Sequence, residues 1–262
     1  MSNLNILIVE GNIREDSEFF IKAAGASAAD NLKNLILKID PSTDTEIVNP
    51  GHDDETSNAI KNMSKYNGII FTGGAMRLND MTDVIKKHIN FASNCFNQNK
   101  NILAICWGLQ VCSTAAGGKV SPGKNGAHIG IASNVIINND GHKHFIYNDQ
   151  KNEFTTPAFN FDEVSELPKN ATLLSSDKVN NVMGVSFNVG NSEITGLQYH
   201  PDYEYYQMIN LIEGRKERLF KNKNFLNEEE YQKHISYIKA ENELLNFNDR
   251  TCEVRNWLNH IK

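Results

Sequence analysis

The chain has 262 residues, 40% of them hydrophobic and 22% charged, with a formal charge of -6 at pH 7. That length buries a sizeable core, in one domain with an appendage or in two small ones, and the acidic balance excludes a general attraction to phosphate backbones or anionic lipid, so nucleic acid is not an expected partner. The opening MSNLNILIVEGN has no basic leader, no uncharged apolar run is long enough to span a bilayer, and Cys95, Cys106, Cys112 and Cys252 form no Cys-x-x-Cys pair. The expectation is a cytoplasmic protein with no membrane span, no disulfide framework and no zinc knuckle.

In chain order, short runs rich in Ile, Leu and Val recur at 5–10 (NILIVE), 45–49 (TEIVN), 68–74 (GIIFTGG) and 101–106 (NILAIC), with helix-like segments between them. Strands apolar on both faces and alternating with helices predict a parallel sheet covered on both sides. Residues 22–30 (KAAGASAADN) read as a small-residue hinge between two helical pieces. Residues 80–97 set Met81, Val84, Ile85, Ile89 and Phe91 near helical spacing behind capping residues. The stretch after Cys106, WGLQVCSTAAGG, reads as a helix stopped by Gly117 and Gly118.

From about residue 119 to 198 the pieces shorten to IASNVIIN, ATLLSSD, VMGVSFNV and EITGLQY, broken by Gly, Asn and Pro. They predict small mixed or antiparallel strands added to the parallel core. Beyond about 203 the chain is helical again: Asn227 stands as an N-cap with Glu230 three residues on, and Tyr231, Ile235, Ile238 and Leu245 line one face. Such a stripe packs on its own domain or, as the lesser reading, docks another subunit.

Cys106 falls where a buried strand ends and a helix begins. Its neighbours Ala104 and Gly108 are small, as in the Gly-x-Ser-x-Gly elbow, where a sharp turn tips the nucleophile above the sheet. The helix N-terminus favours the thiolate. Taken alone, Cys106 is read equally well as one more small buried hydrophobe. His200 favours the nucleophile, because it too follows an apolar strand and active sites of open α/β sheets gather outside the carboxyl ends of the strands. Asp202 and Glu204 follow it in GLQYHPDYEYYQ, so cysteine, histidine and a carboxylate are available in the roles of nucleophile, base and orienter.

The motif AICWGLQ, the GLQYHPD that comes about ninety residues later, and the preceding IIFTGG together resemble the class I (triad) glutamine amidotransferases, with their G-x-C-x-G-x-Q elbow, Q-x-H-P-E end and Gly-Gly loop. The resemblance covers roughly residues 4 to 205. It implies a flavodoxin-like three-layer α/β sandwich over residues 1–205, with a mostly parallel central sheet and small added antiparallel strands. A helical extension, residues 206–262, then packs on that domain or on a partner. Carried over by position, it implies Cys106 as nucleophile, His200 as base and acid, and Asp202 in place of the usual glutamate, with Glu204 as fallback. The N–H groups of Gly74 and Trp107 fall where the family forms its oxyanion hole. Gln110 and the backbone of Phe159, Asn160 and Phe161 fall where it holds the amino-acid end of the substrate. Three departures stand out: Ala104 replaces the first glycine, no proline follows the glycine pair, and the usual His-Gly is missing around AFNF.

The leading expectation is hydrolysis of the glutamine γ-carboxamide through a γ-glutamyl thioester, with ammonia passed to an ATP-dependent synthetase acting in trans, since the chain carries no G-x-x-x-x-G-K-[ST] loop of its own. The alternative is a hydrolase of a γ-glutamyl amide conjugate, which needs no partner; a non-catalytic regulatory relative is the third reading. No cofactor is expected, and a homo-oligomer is left open. His142 and His144 beside Asp140 are better explained by a polar turn than by a metal, and no metal site is expected. His128 reaches either the site mouth or, more in keeping with its surroundings, a structural role. Cys112 is assigned to packing.

Overall fold

A computed structural model of the chain describes residues 3–52 and 56–262. Its elements, in order, are β1 (Asn5–Val9), α1 (Arg14–Ala24), α2 (Ala28–Ile39), β2 (Asp44–Val48), α3 (Thr56–Lys61), β3 (Gly68–Phe71), α4 (Asp83–Cys95), β4 (Asn101–Ile105), α5 (Trp107–Ala115), β5 (Lys119–Pro122), β6 (His128–Ile129) and β7 (Ala132–Ile137). These are followed by β8 (Glu153–Thr156), β9 (Phe159–Asn160), β10 (Asp162–Glu166), β11 (Thr172–Ser176), β12 (Gly184–Val189), β13 (Ser192–Leu197), α6 (Tyr205–Gly214), α7 (Lys216–Lys221), α8 (Glu228–Leu244), α9 (Phe247–Arg250) and α10 (Cys252–His260).

Alternate residues of the apolar strands face opposite layers, which is why those strands carry no polar stripe. Ile6, Ile8, Ile70, Leu103 and Ile105 pack with Leu32, Leu35 and Ile36 of α2 and with Val254, Trp257 and Leu258 of α10. Leu7, Val9, Ile69, Phe71, Ile102 and Ala104 pack on the other side with Ile85, Phe91 and Ala92 of α4 and Leu109 and Val111 of α5. This is the three-layer α/β sandwich expected from the sequence.

The sheet has nine strands in the order β2-β1-β3-β4-β13-β12-β11-β7-β8. From β2 to β13 the neighbours run parallel, and from β13 to β8 they run antiparallel. The mixed structure expected after residue 119 is thus added to the parallel core as a continuation of the same sheet, and EITGLQY, read among those short pieces, is the strand at the junction, parallel to β4 and antiparallel to β12. Among the described residues only β5 with β10 and β6 with β9 form separate ribbons.

Local signals hold at most helix ends. The hinge at 22–30 is a cap-to-cap turn, with Gly25 left-handed at φ 88° and the Ser27 side chain accepting from the Asp30 N–H. In the 80–97 segment the helix starts behind Thr82, whose hydroxyl accepts from the Ile85 N–H. Met81 sits outside that helix, exposed and left-handed at φ 45°. Asn227 caps α8 by accepting from Glu230 N–H, and Tyr231, Ile235 and Ile238 are buried against Tyr205, Ile209 and Ile212 of α6 and Ile129 and Ile131. The helices after residue 205 therefore pack back on the same chain, α6 also against Phe20 and Ala24 of α1. Among the described residues no helix is long and apolar enough to cross a membrane.

Candidate active site

β4 and β13 are parallel neighbours in register, with Leu197 beside Ile105, so the residues after each strand emerge at the same sheet edge. Cys106 comes directly after β4 with φ 51° and ψ -107°, a left-handed backbone that costs a non-glycine residue about 1–3 kcal/mol and is kept only where the surroundings over-determine it. They do so here. The Cys106 N–H donates to the Leu197 carbonyl at 2.6 Å, and α5 begins at once, so close to β3 that a Cβ on Gly108 would lie 2.5 Å from the Phe71 carbonyl oxygen. Ala104 is fully buried and stands beside Gly196 in the ladder, where Leu109 of α5 packs too close to Gly196 for a Cβ.

His200 leaves β13 three residues past the strand end, its N–H donating to Pro157 O at 2.7 Å. Its Nδ1 is 3.0 Å from Asp202 Oδ1, and both side chains are buried. Glu204 is turned away: it is the N-cap residue of α6, its own N–H donates to Gln207 Oε1 at 2.9 Å, and its Oε1 is 3.4 Å from Arg250 Nη2. Gly73 lies against the imidazole; a Cβ there would fall 2.5 Å from His200 Cε1 and 3.6 Å from Cys106 Cβ. Burial works against a charged His200 ring, but the Cys106 sulfur and the Asp202 carboxylate outweigh it and hold the pKa up to about 10. These two neighbours thus favour the protonated form of the ring.

The thiol is fixed by two further contacts. Cys106 Sγ lies 3.7 Å from Phe159 O and 3.5 Å from Gln198 Nε2. Gln198 Oε1 in turn accepts from Gln110 Nε2 at 3.3 Å, which also donates to Asp162 O at 2.9 Å. The N–H groups of Gly74 and Trp107 donate to no protein acceptor among the described residues; that of Trp107 is one of the unpaired amides of a helix start. Asn160 accepts from His128 Nδ1 at 3.0 Å, and His128 Nε2 is 2.7 Å from Asp177 Oδ2. His128 therefore braces β9 from behind. The Phe161 carbonyl is taken by Gly123 N–H at 2.9 Å.

A cavity of about 290 Å³ opens over this group. Gly73, Gly74, Cys106, Trp107, Gln110, Phe159, Asn160, Phe161 and His200 form its inner wall, while Phe20, Met208, Leu211, Arg215 and Arg218 form the outer one. Every residue assigned to the triad, the oxyanion hole or the substrate thus lines the cavity except Asp202, which stands behind the imidazole, and Glu204, which faces Arg250. Sequence reasoning missed Gln198, Gly73 and Tyr203, whose ring meets His200 edge-on at 5.2 Å. All three lie inside the runs GLQYHPDYEYYQ and IIFTGG, so the signal was present. The outer wall had none, because it comes from helices beyond the matched motifs.

Away from the cavity, Cys112 is fully buried beside Cys95 and burial pushes its thiol well up. His142 sits in a single-turn 3-10 helix, and His144 joins it to the next, its side chain accepting from the Ile146 N–H; among the described residues no group of three or more His, Cys, Asp or Glu side chains could hold a metal ion.

A strained strand-to-helix cysteine beside a carboxylate-backed histidine, at the carboxyl edge of a parallel sheet, is the nucleophile-elbow arrangement of α/β proteins. The chain belongs to the glutamine amidotransferase class-I family, which it matches over residues 21–209. It is 26% identical to a gamma-glutamyl-L-1-hydroxyisopropylamide hydrolase of Pseudomonas sp., the match covering 100% of this chain and 94% of that protein. It is 31% identical to gamma-glutamyl peptidase 5 of Arabidopsis thaliana over 58% of this chain and 60% of that one. To a glutamine-hydrolyzing GMP synthase subunit from Methanococcus vannielii it is 30% identical over 58% of this chain and 73% of that one. In structure it resembles a glutamine amidotransferase from Thermotoga maritima with a TM-score of 0.71 at 17% identity, covering 100% and 99% of the two chains.

Proposed function

We propose that this protein hydrolyses γ-glutamyl amides, releasing glutamate and an amine by way of a γ-glutamyl thioester on Cys106. The observation that carries this reading is the outer wall of the cavity. Phe20, Met208 and Leu211 add an apolar stretch of lining to the residues around Cys106 and His200, and ammonia, the leaving group of glutamine itself, needs no such wall. The end-to-end match to a γ-glutamyl amide hydrolase includes the helices that build it. This sets the conjugate hydrolase ahead of the glutamine-hydrolysing reading that the motifs alone favour.

In this reading the Cys106 thiolate attacks the γ-carbonyl carbon. The charge that moves to the carbonyl oxygen meets the Gly74 and Trp107 N–H groups; losing one such donor costs about 2.7–4 kcal/mol of barrier. The C–N bond breaks as the His200 imidazolium gives its proton to the departing nitrogen. The neutral ring then takes a proton from water, which attacks the thioester; the C–S bond breaks and glutamate leaves. Asp202 fixes the ring through Nδ1 and stabilises its charged form without itself taking the proton. Gln110 and the 159–161 segment hold the amino-acid end of the substrate.

A second reading, hydrolysis of glutamine with ammonia passed to an ATP-dependent synthetase in trans, draws on the similarity to the GMP synthase subunit. Glutamate release from glutamine and from a series of N-alkyl and N-aryl γ-glutamyl amides separates the two. The expected result is a higher kcat/KM on one or more conjugates than on glutamine. Turnover of glutamine that no conjugate exceeds would remove the hydrolase reading. A Cys106 no more reactive to iodoacetamide than the buried Cys95 and Cys112 would remove both and leave a regulatory relative.

A further inference from the structure

One charged side chain of the outer wall is not used by the chemistry above. Arg215, at the junction of α6 and α7, is half-buried and lines the cavity. Among the described residues its guanidinium makes no ion pair, and its one hydrogen bond is a long 3.4 Å contact from Nη1 to the Leu211 carbonyl oxygen. It lies instead over three aromatic rings, 4.4 Å from the Phe19 centroid, 5.2 Å from Phe20 and 5.3 Å from Phe159. The charged and titratable groups that act on it are Tyr203, Arg218 and Asp16, and burial is the largest influence, pulling its pKa down to about 10. A half-buried guanidinium with so few partners is poorly compensated in the protein alone. Facing a cavity, it is suited to a planar anion, which it can grip with two parallel N–H bonds. Phe159 fixes where that anion would lie: its ring touches Arg215 while its carbonyl faces the Cys106 sulfur.

We propose that Arg215 receives the α-carboxylate of the γ-glutamyl group while Cys106 faces the γ-carbonyl. The C-terminal helices thereby supply a specificity-determining residue. The proposal rests on the γ-glutamyl reading and is tested without turnover. Alkylation of Cys106 by iodoacetamide in the intact protein is followed by mass spectrometry with two protectants, L-glutamate and L-isoglutamine, whose α-carboxylate is a carboxamide of the same shape. Glutamate should protect the wild type at a concentration about tenfold or more below isoglutamine. Arg215→Met should abolish that preference and R215K restore part of it, with unfolding midpoints unchanged. The assignment is overturned if glutamate fails to protect the wild type, if its preference survives R215M, or if R215M weakens both protectants equally. Turnover of a γ-glutamyl anilide is measured alongside, with R215M expected to raise KM while kcat holds. A wild type that glutamate protects but that hydrolyses no γ-glutamyl amide overturns the hydrolase reading and leaves the role of Arg215 standing. A wild type that hydrolyses the anilide with a KM indifferent to R215M does the reverse.

Discussion

Asp202 reaches His200 at 3.0 Å with a side chain one methylene shorter than glutamate. The turn makes this possible: Pro201 follows the histidine directly, Tyr203 N–H returns to His200 O at 3.4 Å, and Asn31 Nδ2 holds the Asp202 carbonyl at 2.7 Å. Asp202→Asn should therefore lower kcat/KM by about 10²-fold or more with the fold intact, while Glu204→Gln, which still offers Arg250 an acceptor, should change it little; steady-state kinetics of the two variants decide between them. The histidine gives a second prediction. Its pKa in the fold, about 10, lies above the ordinary 6.5, so its pairing stabilises the fold fully below about pH 6.5 and is lost as pH rises through about 10. Since Cys106 is the strongest of the contacts raising that pKa, Cys106→Ala should move the ring titration, followed by NMR, to lower pH and flatten the fall of Tm on the alkaline side. Both residues were legible in the sequence because a proline-fixed turn and a strand-helix junction are written in adjacent letters.

At the scale of elements, Cys106 and His200 meet because β4 and β13 are neighbours. That neighbourhood was not legible. EITGLQY has the alternation of an ordinary short strand, and nothing local states that it enters the sheet beside a strand far upstream. Only the order of motifs hinted at it. The same holds for α9, whose Arg250 is buried and donates from Nη1 to Pro201 O at 3.0 Å and Tyr203 O at 3.3 Å. A helix from the far end of the chain thus clamps the turn that carries His200 and Asp202. Arg250→Met leaves these carbonyls unpaired and should cost about 1.5–3 kcal/mol in urea unfolding, with a smaller loss of turnover than D202N.

For the molecule as a whole, α10 closes one face of the sheet, and it does so with a carboxyl group inside. Glu253 is 1% exposed, with Tyr199 OH donating to its Oε1 at 2.8 Å and Gln150 Nε2 at 3.2 Å. Burial, only partly offset by these donors, raises its pKa from 4.5 to about 7. The folded state therefore holds this proton more tightly than the unfolded one, and the stability it confers is present below about pH 4.5 and lost as pH rises through about 7. Glu253→Gln should remove that slope and be more stable than the wild type above pH 7, by about 3 kcal/mol, as a series of Tm values against pH will show. The apolar stripe of α10 does not announce such a residue, because burial on the sheet, rather than spacing along the helix, decides its charge. The insertion of β13 also has a kinetic side. Gln198 touches Cys106 at a sequence separation of 92, and contacts of such long range form late in folding and late in synthesis. A growing chain that has completed β4 but not β13 holds the Cys106 thiol with neither His200 nor Gln198 beside it, so the surroundings of that thiol come into being only when the sheet closes.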